Sequence, residues 1–311
     1  MTTEKSSRSI LYRLSELLFY GNYFYGICVV ANCIETSMLR HIQLNNTAFY
    51  LLMFSATVLY YNYPYARNYS TTNGNARTQW HIRNRKLIQW NQIILTAIVV
   101  GLSASFLYHN YNSVFSMPAI NWLLLLMFPF IAALYYGANF FSRQYNIRSI
   151  GWLKPFIIGL IWAGLTNVYP ELFNHILSNT PFEFTLQGTM LFAKNTMFIA
   201  MLAIMFDVKD YAADSRNRLS TFIVKIGLRK TIFYILIPFP LLGLATFISY
   251  AVTHSFHVVS MVLIMIPFLL LIVAALSFRK RRTLMYYLTV IDGLILLKAL
   301  IDIVAVLLNT H

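Results

Sequence analysis

Apolar residues run almost unbroken along most of this chain, and the gaps between the runs are short, polar and basic. Nine runs stand out, at about 16–35, 47–63, 87–108, 119–141, 152–168, 185–206, 231–252, 258–278 and 284–308. Several reach the ~20 residues that an α-helix needs to cross the hydrocarbon core of a bilayer. The runs are continuous rather than alternating, which argues against a β-barrel. The pattern predicts an all-α polytopic membrane protein, with nine transmembrane helices in a single integral membrane domain over residues 1–311. Pro64 is expected to end the second span, because proline disfavours helix in the residue before it. The first run is longer than the apolar part of a cleavable signal and has no clear small-residue cleavage site, so it reads as a retained span.

Composition agrees with this reading. The chain is 58% hydrophobic and 11% charged, whereas soluble domains carry about 25% charged residues. The formal net charge of +14 need not point to nucleic acid, and no nucleic-acid partner is expected, because the basic residues follow the predicted topology. With the N-terminus inside, 21 of the 24 Lys and Arg fall in the inside segments 1–13, 66–86, 142–154, 207–230 and 279–282. The other three are Arg40, Lys194 and Lys298, and only Arg40 lies in an outside loop, together with Glu171 and Glu183 on that side. Positive-inside asymmetry of this strength predicts a cytoplasmic N-terminus and, with an odd number of spans, a C-terminus outside. Such an orientation suits a bacterial inner membrane. The two cysteines, Cys28 and Cys33, both lie in the first run and suggest small apolar helix residues, not a disulfide. The seven histidines show no metal-ligand spacing.

Chemistry concentrates in one stretch, FDVKDYAADSRNRLSTFIVKIG, from Phe206 to Gly227. It holds three of the ten acidic residues, Asp207, Asp210 and Asp214, spaced i, i+3, i+7. On a helix that spacing brings the three carboxylates to one face. They follow a long apolar run, where a carboxylate is costly unless it meets water, a metal or a cation. Lys209, Arg216, Arg218 and Lys225 lie beside them. Acids that can hold Mg²⁺, next to bases that can hold phosphate, suggest a diphosphate site at a membrane surface.

The order D-x-x-D-x-x-x-D, then Thr221 and Gly227, with Lys225 two before the glycine, resembles the second aspartate-rich motif of UbiA-type intramembrane prenyltransferases. Nine helices, an inside N-terminus, and polar loops after the second and sixth helices are similar to that family over most of the chain. So is the basic stretch that ends in Lys154-Pro155. The family also tends to have Arg just after the last Asp and Gly four after it, where this chain has Ser215 and Arg218. Its first motif, N-x-x-x-D-x-x-x-D, meets NYPYARNYS here: Asn62 is present, and Ala66 and Ser70 stand at the two Asp positions.

The resemblance implies transfer of an isoprenyl group from a prenyl diphosphate to an aromatic or other lipophilic acceptor within the bilayer. It implies Mg²⁺ held by Asp207, Asp210 and Asp214, with Asn62 orienting a metal-bound water or phosphate. Arg67, Lys154, Lys209 and Arg218 are the candidates for direct diphosphate contact, and Arg67 would supply charge that a second metal ion supplies elsewhere. Two other readings are a relative that binds an isoprenoid lipid or diphosphate without turnover, and a small transporter. The transporter would rely on Asp292, Lys298 and Asp302 in the last span, where Lys298 and Asp302 can pair at i, i+4. Lys194 is expected to snorkel to the surface. Tyr60, Tyr61, Tyr63, Tyr65 and Tyr69 read as an interfacial aromatic belt.

Overall fold

The computed structural model describes residues 10–67, 76–135, 150–216, 220–253, 257–278, 280 and 282–309. Among these residues the chain is all-helical, with no strand. Among the described residues, every apolar run that the hydropathy pattern marked is mostly helical. Among the described residues, five helical segments are long and apolar enough to cross a bilayer: Arg85–His109, Lys154–Ser178, Leu186–Tyr211, Leu228–Ala245 and Val258–Ser277. A sixth is the bent pair Tyr12–Tyr20 with Tyr23–Leu39. Large apolar side chains such as Ile93 and Val100 of Arg85–His109, and Leu123 and Phe130 of the shorter apolar helix Ala119–Tyr135, face outward, which fits immersion in lipid.

The chain divides into two compact units. One is Met1–Val30 with Asn46–His109; the other is Ala31–Asn45 with Asn110–His311.

The first unit contains α1 (Ile10–Tyr20), the start of α2 (Tyr23–Leu39), α3 (Thr47–Arg67), α4 (Ala76–Arg83) and α5 (Arg85–His109). The first span is not one helix: α1 and α2 meet at 66°, across Gly21 and Asn22. Asn22 has φ 65, a left-handed conformation that asparagine tolerates better than most residues. Its side chain is buried and tied down. Nδ2 donates to Asn62 Oδ1 at 2.7 Å, Oδ1 accepts from Arg77, and Asn62 Nδ2 donates to the Gly21 carbonyl at 2.9 Å. The corner is therefore built by a buried polar triad that no apolar pattern reveals. Pro64 does not end the second run, since α3 continues through it to Arg67. A proline removes one backbone donor and crowds the preceding turn, but α3 packs along α5 and is held across it by Gln92 Nε2 donating to the Leu59 carbonyl.

In α4, His81 Nε2 contacts the Tyr20 carbonyl at 2.9 Å, and its ring stacks on Tyr65 at 4.0 Å. Arg77 sits over the same tyrosine ring. Burial pushes the His81 imidazole down to about 4; the Arg77 charge acts the same way, and the bond to Tyr20 opposes them. The unfolded chain, with an ordinary histidine near pKa 6.5, then binds more protons than the folded one between about pH 4 and 6.5. Stability is full above about pH 6.5 and falls as pH drops toward 4, by up to about 3 kcal/mol. The denaturation midpoint of the wild type should fall between pH 7 and 5, and a His81→Gln variant should lose most of that dependence.

The second unit contains the rest of α2 and the helices that follow. These are α6 (Tyr111–Phe115), α7 (Ala119–Tyr135), α8 (Lys154–Ala163), α9 (Tyr169–Ser178) and α10 (Leu186–Arg216), then α11 (Phe222–Ile226), α12 (Leu228–Thr231), α13 (Pro238–Thr253), α14 (Val258–Ser277), α15 (Leu284–Tyr286) and α16 (Gly293–Asn309). Wider π turns join α8 to α9 (Gly164–Val168), α12 to α13 (Ile232–Leu236) and α15 to α16 (Tyr287–Ile291). Such π turns recur at functional sites because they displace side chains from the regular helical register. The most extensive packing in this unit is of α8 on α10. Gly159 permits it: a Cβ there would collide with the Thr196 carbonyl of α10. Arg40 donates to Glu171 and to Thr185 Oγ1, each at 2.5 Å, so the sole basic residue of the predicted outside loops is neutralised within this unit.

Candidate functional site

The acidic motif is helical throughout. α10 runs past the end of the predicted span and carries Asp207, Asp210 and Asp214 on its last turns. At about 100° per residue, i and i+7 differ by only about 20°, while i+3 is rotated about 60° away. Burial follows that geometry: Asp207 and Asp214 are buried, and the Asp210 side chain is 42% exposed.

Lys154, at the first position of α8, donates to Asp207 Oδ1 at 2.6 Å. Asp207 is 1% exposed, and its second oxygen, Oδ2, is buried with no hydrogen-bond partner among the described residues. Asp214 and the Tyr135 phenol lie within electrostatic reach of the same ammonium. Lys209 donates to Asp210 Oδ1 at 2.5 Å. Phe206 packs on Tyr287, with ring centroids 5.6 Å apart, so two aromatic rings border the acidic face. Ser220 and Thr221 close against the residues before α8: a Cβ on Gly151 would meet their backbone within 2.7 Å. Thr221 caps α11 through its hydroxyl, which accepts from the Val224 amide. Gly227 sits at φ 82, ψ 157, a region essentially closed to side chains. Both residues downstream of the triad thus have conformational reasons to be Thr and Gly.

Of the eight residues expected at the site, Asp207, Asp210, Asp214, Lys154 and Lys209 are all in the second unit. Asn62 lies in the first unit, fully buried, with both ends of its amide engaged at the Gly21–Asn22 corner. Arg67 is the last residue of α3, and its side chain is outside the described part. Arg218 lies outside the described residues, as do Ser70 and Tyr69.

Carboxylate oxygens are suitable donors for Mg²⁺. In this arrangement, however, lysines hold Asp207 and Asp210, and among the described residues no three His, Cys, Asp or Glu side chains gather as a metal-holding group. Lys154 and Lys209 each hold one oxygen of these carboxylates, so a metal ion bound here would compete with them.

A second set of charges lies within the same unit, and its pairing differs from expectation. Lys298 contacts Asp302 only at 3.9 Å. Its closer partner is Glu35 of α2, to which Nζ donates at 2.6 and 2.7 Å. Lys194 does not snorkel outward; its Nζ donates to Asp302 Oδ2 at 2.9 Å and lies 4.0 Å from Glu35. The role of Glu35 was not foreseen from sequence. The only available signal was an acid at the end of an apolar run, with lysines far along the chain to neutralise it. Asp292 is buried at the end of the last π turn. Comparison of the chain with protein-family models, curated proteins and solved structures found no match.

Proposed function

We propose that this chain is an intramembrane isoprenyl-transfer protein of the UbiA type, taking a prenyl diphosphate headgroup where α8 meets the end of α10. The observation that carries the reading is the Lys154–Asp207 pair: a half-buried lysine on a buried carboxylate at the end of an apolar helix, with one carboxylate oxygen left without a hydrogen bond among the described residues. An anionic headgroup can take the Lys154 ammonium from Asp207, and Lys209 stands one turn away to do the same at Asp210. Lysine charge placed there favours the leaving diphosphate as its bond to the allylic carbon breaks. The rings of Tyr287 and Phe206 offer π faces to the cationic carbon. The aromatic or other lipophilic acceptor then forms the new bond to that carbon and loses a proton. Mg²⁺ enters this proposal as a competitor of Lys154 for Asp207. Nine crossings, a cytoplasmic N-terminus and site, an outside C-terminus and a bacterial inner membrane belong to the same proposal, supported by the charge asymmetry of the loops.

The test is equilibrium binding of a geranylgeranyl thiodiphosphate analogue to purified protein, with and without Mg²⁺. Charge-assisted hydrogen bonds contribute about 1.5–3 kcal/mol, so Lys154→Ala should weaken binding about 10- to 100-fold. Unchanged affinity in that variant, or no binding to folded wild type, would remove the reading. A second reading, binding without turnover, is favoured by the lysine-held carboxylates. It predicts the same affinity but no diphosphate release from the natural-type substrate when lipophilic acceptors are supplied.

A further inference from the structure

The 66° corner between α1 and α2 decides where α1 lies once α2 enters a bilayer. The corner is held from both sides. Asn22 takes its left-handed conformation at φ 65, and its buried side chain is bonded to Asn62 and Arg77. With α2 along the membrane normal, a straight continuation would set residue 10 about 6 Å farther along that normal than residue 14. Turned by 66°, the same four residues change depth by only about 2 Å. α1 therefore runs closer to the plane of the membrane than to its normal.

The side chains suit that course. Ile10, Arg13 and Leu14, at i, i+3 and i+4, share one face of α1, and all three are exposed. Ile10 is 78% and Leu14 is 55% exposed. Glu16, the only acid of α1, is buried. α4 packs against α1, joined to it by Trp80 beside the Tyr20 ring and by His81 on the Tyr20 carbonyl. On α4 and the first turns of α5, Ile82, Leu87 and Trp90 are exposed, and so are Arg83 and Lys86. No acid occurs between Glu35 and Glu171, so the exposed charge on α1, α4 and α5 is basic among the described residues. Large apolar side chains are disfavoured in water, and arginine and lysine are disfavoured in hydrocarbon. The boundary between headgroups and acyl chains accommodates both, with the apolar face about 5–10 Å deep.

We propose that α1 and α4 form a shelf in the membrane interface, and that its partner is the anionic phospholipid headgroup. Ile10 and Leu14 enter the upper acyl region. Trp90 sits at headgroup level, as interfacial tryptophans do. Arg13, Arg83 and Lys86 attract the anionic lipid, each adding to the attraction near the surface. The Asn22 corner sets the angle of the shelf, so the first apolar run is an interfacial helix followed by a crossing one. This inference rests on insertion into a bilayer and not on the diphosphate reading.

The experiment measures depth by nitroxide labels on single cysteines, with the full chain in vesicles of phosphatidylcholine and phosphatidylglycerol. The labelled variants are Ile10→Cys, Leu14→Cys and, on the outward face of α5, Ile93→Cys and Ala97→Cys. Native Cys28 and Cys33 are buried, so the unsubstituted chain is the blank. Accessibility to oxygen against a nickel chelate gives each depth. Labels at 93 and 97 should differ by about 6 Å. Labels at 10 and 14 should lie about 5–10 Å below the phosphates and differ by about 2 Å. A fluorescent bimane at Leu14→Cys should be quenched about 2-fold or more better by brominated phosphatidylglycerol than by brominated phosphatidylcholine. High salt should shrink that preference, and the surface variant Arg13→Gln/Arg83→Gln/Lys86→Gln should abolish it. A depth step at 10 and 14 as large as that at 93 and 97 overturns the proposal, as does a label at 14 that is open to water. Equal quenching by the two lipids, or a preference that persists in the triple variant, overturns it as well.

Discussion

Replacing Lys298 by methionine is expected to destabilise the folded protein by about 3–5 kcal/mol. Lys298 makes both short bonds to Glu35, and neither side chain is more than 2% exposed. Without the ammonium, the carboxylate stays buried with only Lys194, 4.0 Å away, as a partial neutraliser. Removing both charges is a different matter. A Lys298→Met/Glu35→Leu double variant replaces a desolvated pair with apolar groups of similar volume, and buried pairs replaced in this way are often neutral or better. Unfolding of the purified protein in mixed detergent should show a large loss in the single variant and recovery of most of it in the double. If the single variant unfolds like wild type, the Lys298–Glu35 pair is not desolvated in the folded protein.

The second large effect is expected at Gly159. Here α8 and α10 approach so closely that a Cβ would strike the Thr196 backbone carbonyl. Backbone cannot rotate aside as a side chain can, so Gly159→Leu must push the helices apart or shift one along the other. Overpacking of a tight contact costs about 1–3 kcal/mol, and a rigid neighbour places this site at the upper end. The functional effect should exceed the loss of stability. α8 begins with Lys154 and α10 carries Asp207, and their pairing at 2.6 Å depends on the helix separation. The Gly159→Leu variant should lose analogue binding about as completely as Lys154→Ala, although residue 159 cannot touch the ligand's headgroup itself. Gly159→Ala should give a smaller loss of the same kind. Binding retained in a folded Gly159→Leu would show that the Lys154–Asp207 pair tolerates helix displacement.

The helices themselves were legible because the hydropathy pattern is local: an unbroken apolar run predicts a helix wherever the rest of the chain lies. The position of the acidic motif was legible for the same reason, since i, i+3, i+7 on a helix is a geometric statement. Two expectations failed where a local rule met a distant partner, and a third was met only as the weaker of two contacts. Pro64 disfavours helix locally, yet α3 continues to Arg67 alongside α5. The first run reads as one span, yet it bends at Gly21 and Asn22, where Asn62 and Arg77 hold the Asn22 side chain in place. Lys298 and Asp302 are spaced to pair along one helix, yet each has a closer partner on another.

The chain's order of apolar and polar residues by itself determined that the described residues are helical, roughly where the helices lie, and that three of the ten acidic residues cluster at the end of one of them. Those properties depend on neighbours within a few turns, which sequence spacing records. Only the tertiary structure decided which charge meets which. It placed Lys154 against Asp207, turned Lys194 inward to Asp302, and brought Glu35 to Lys298 from 263 residues away. The physical reason is that a charge in an apolar bundle must find an opposite charge, whichever helix carries it. Only the packing of α2, α8, α10 and α16 determines which one is within reach.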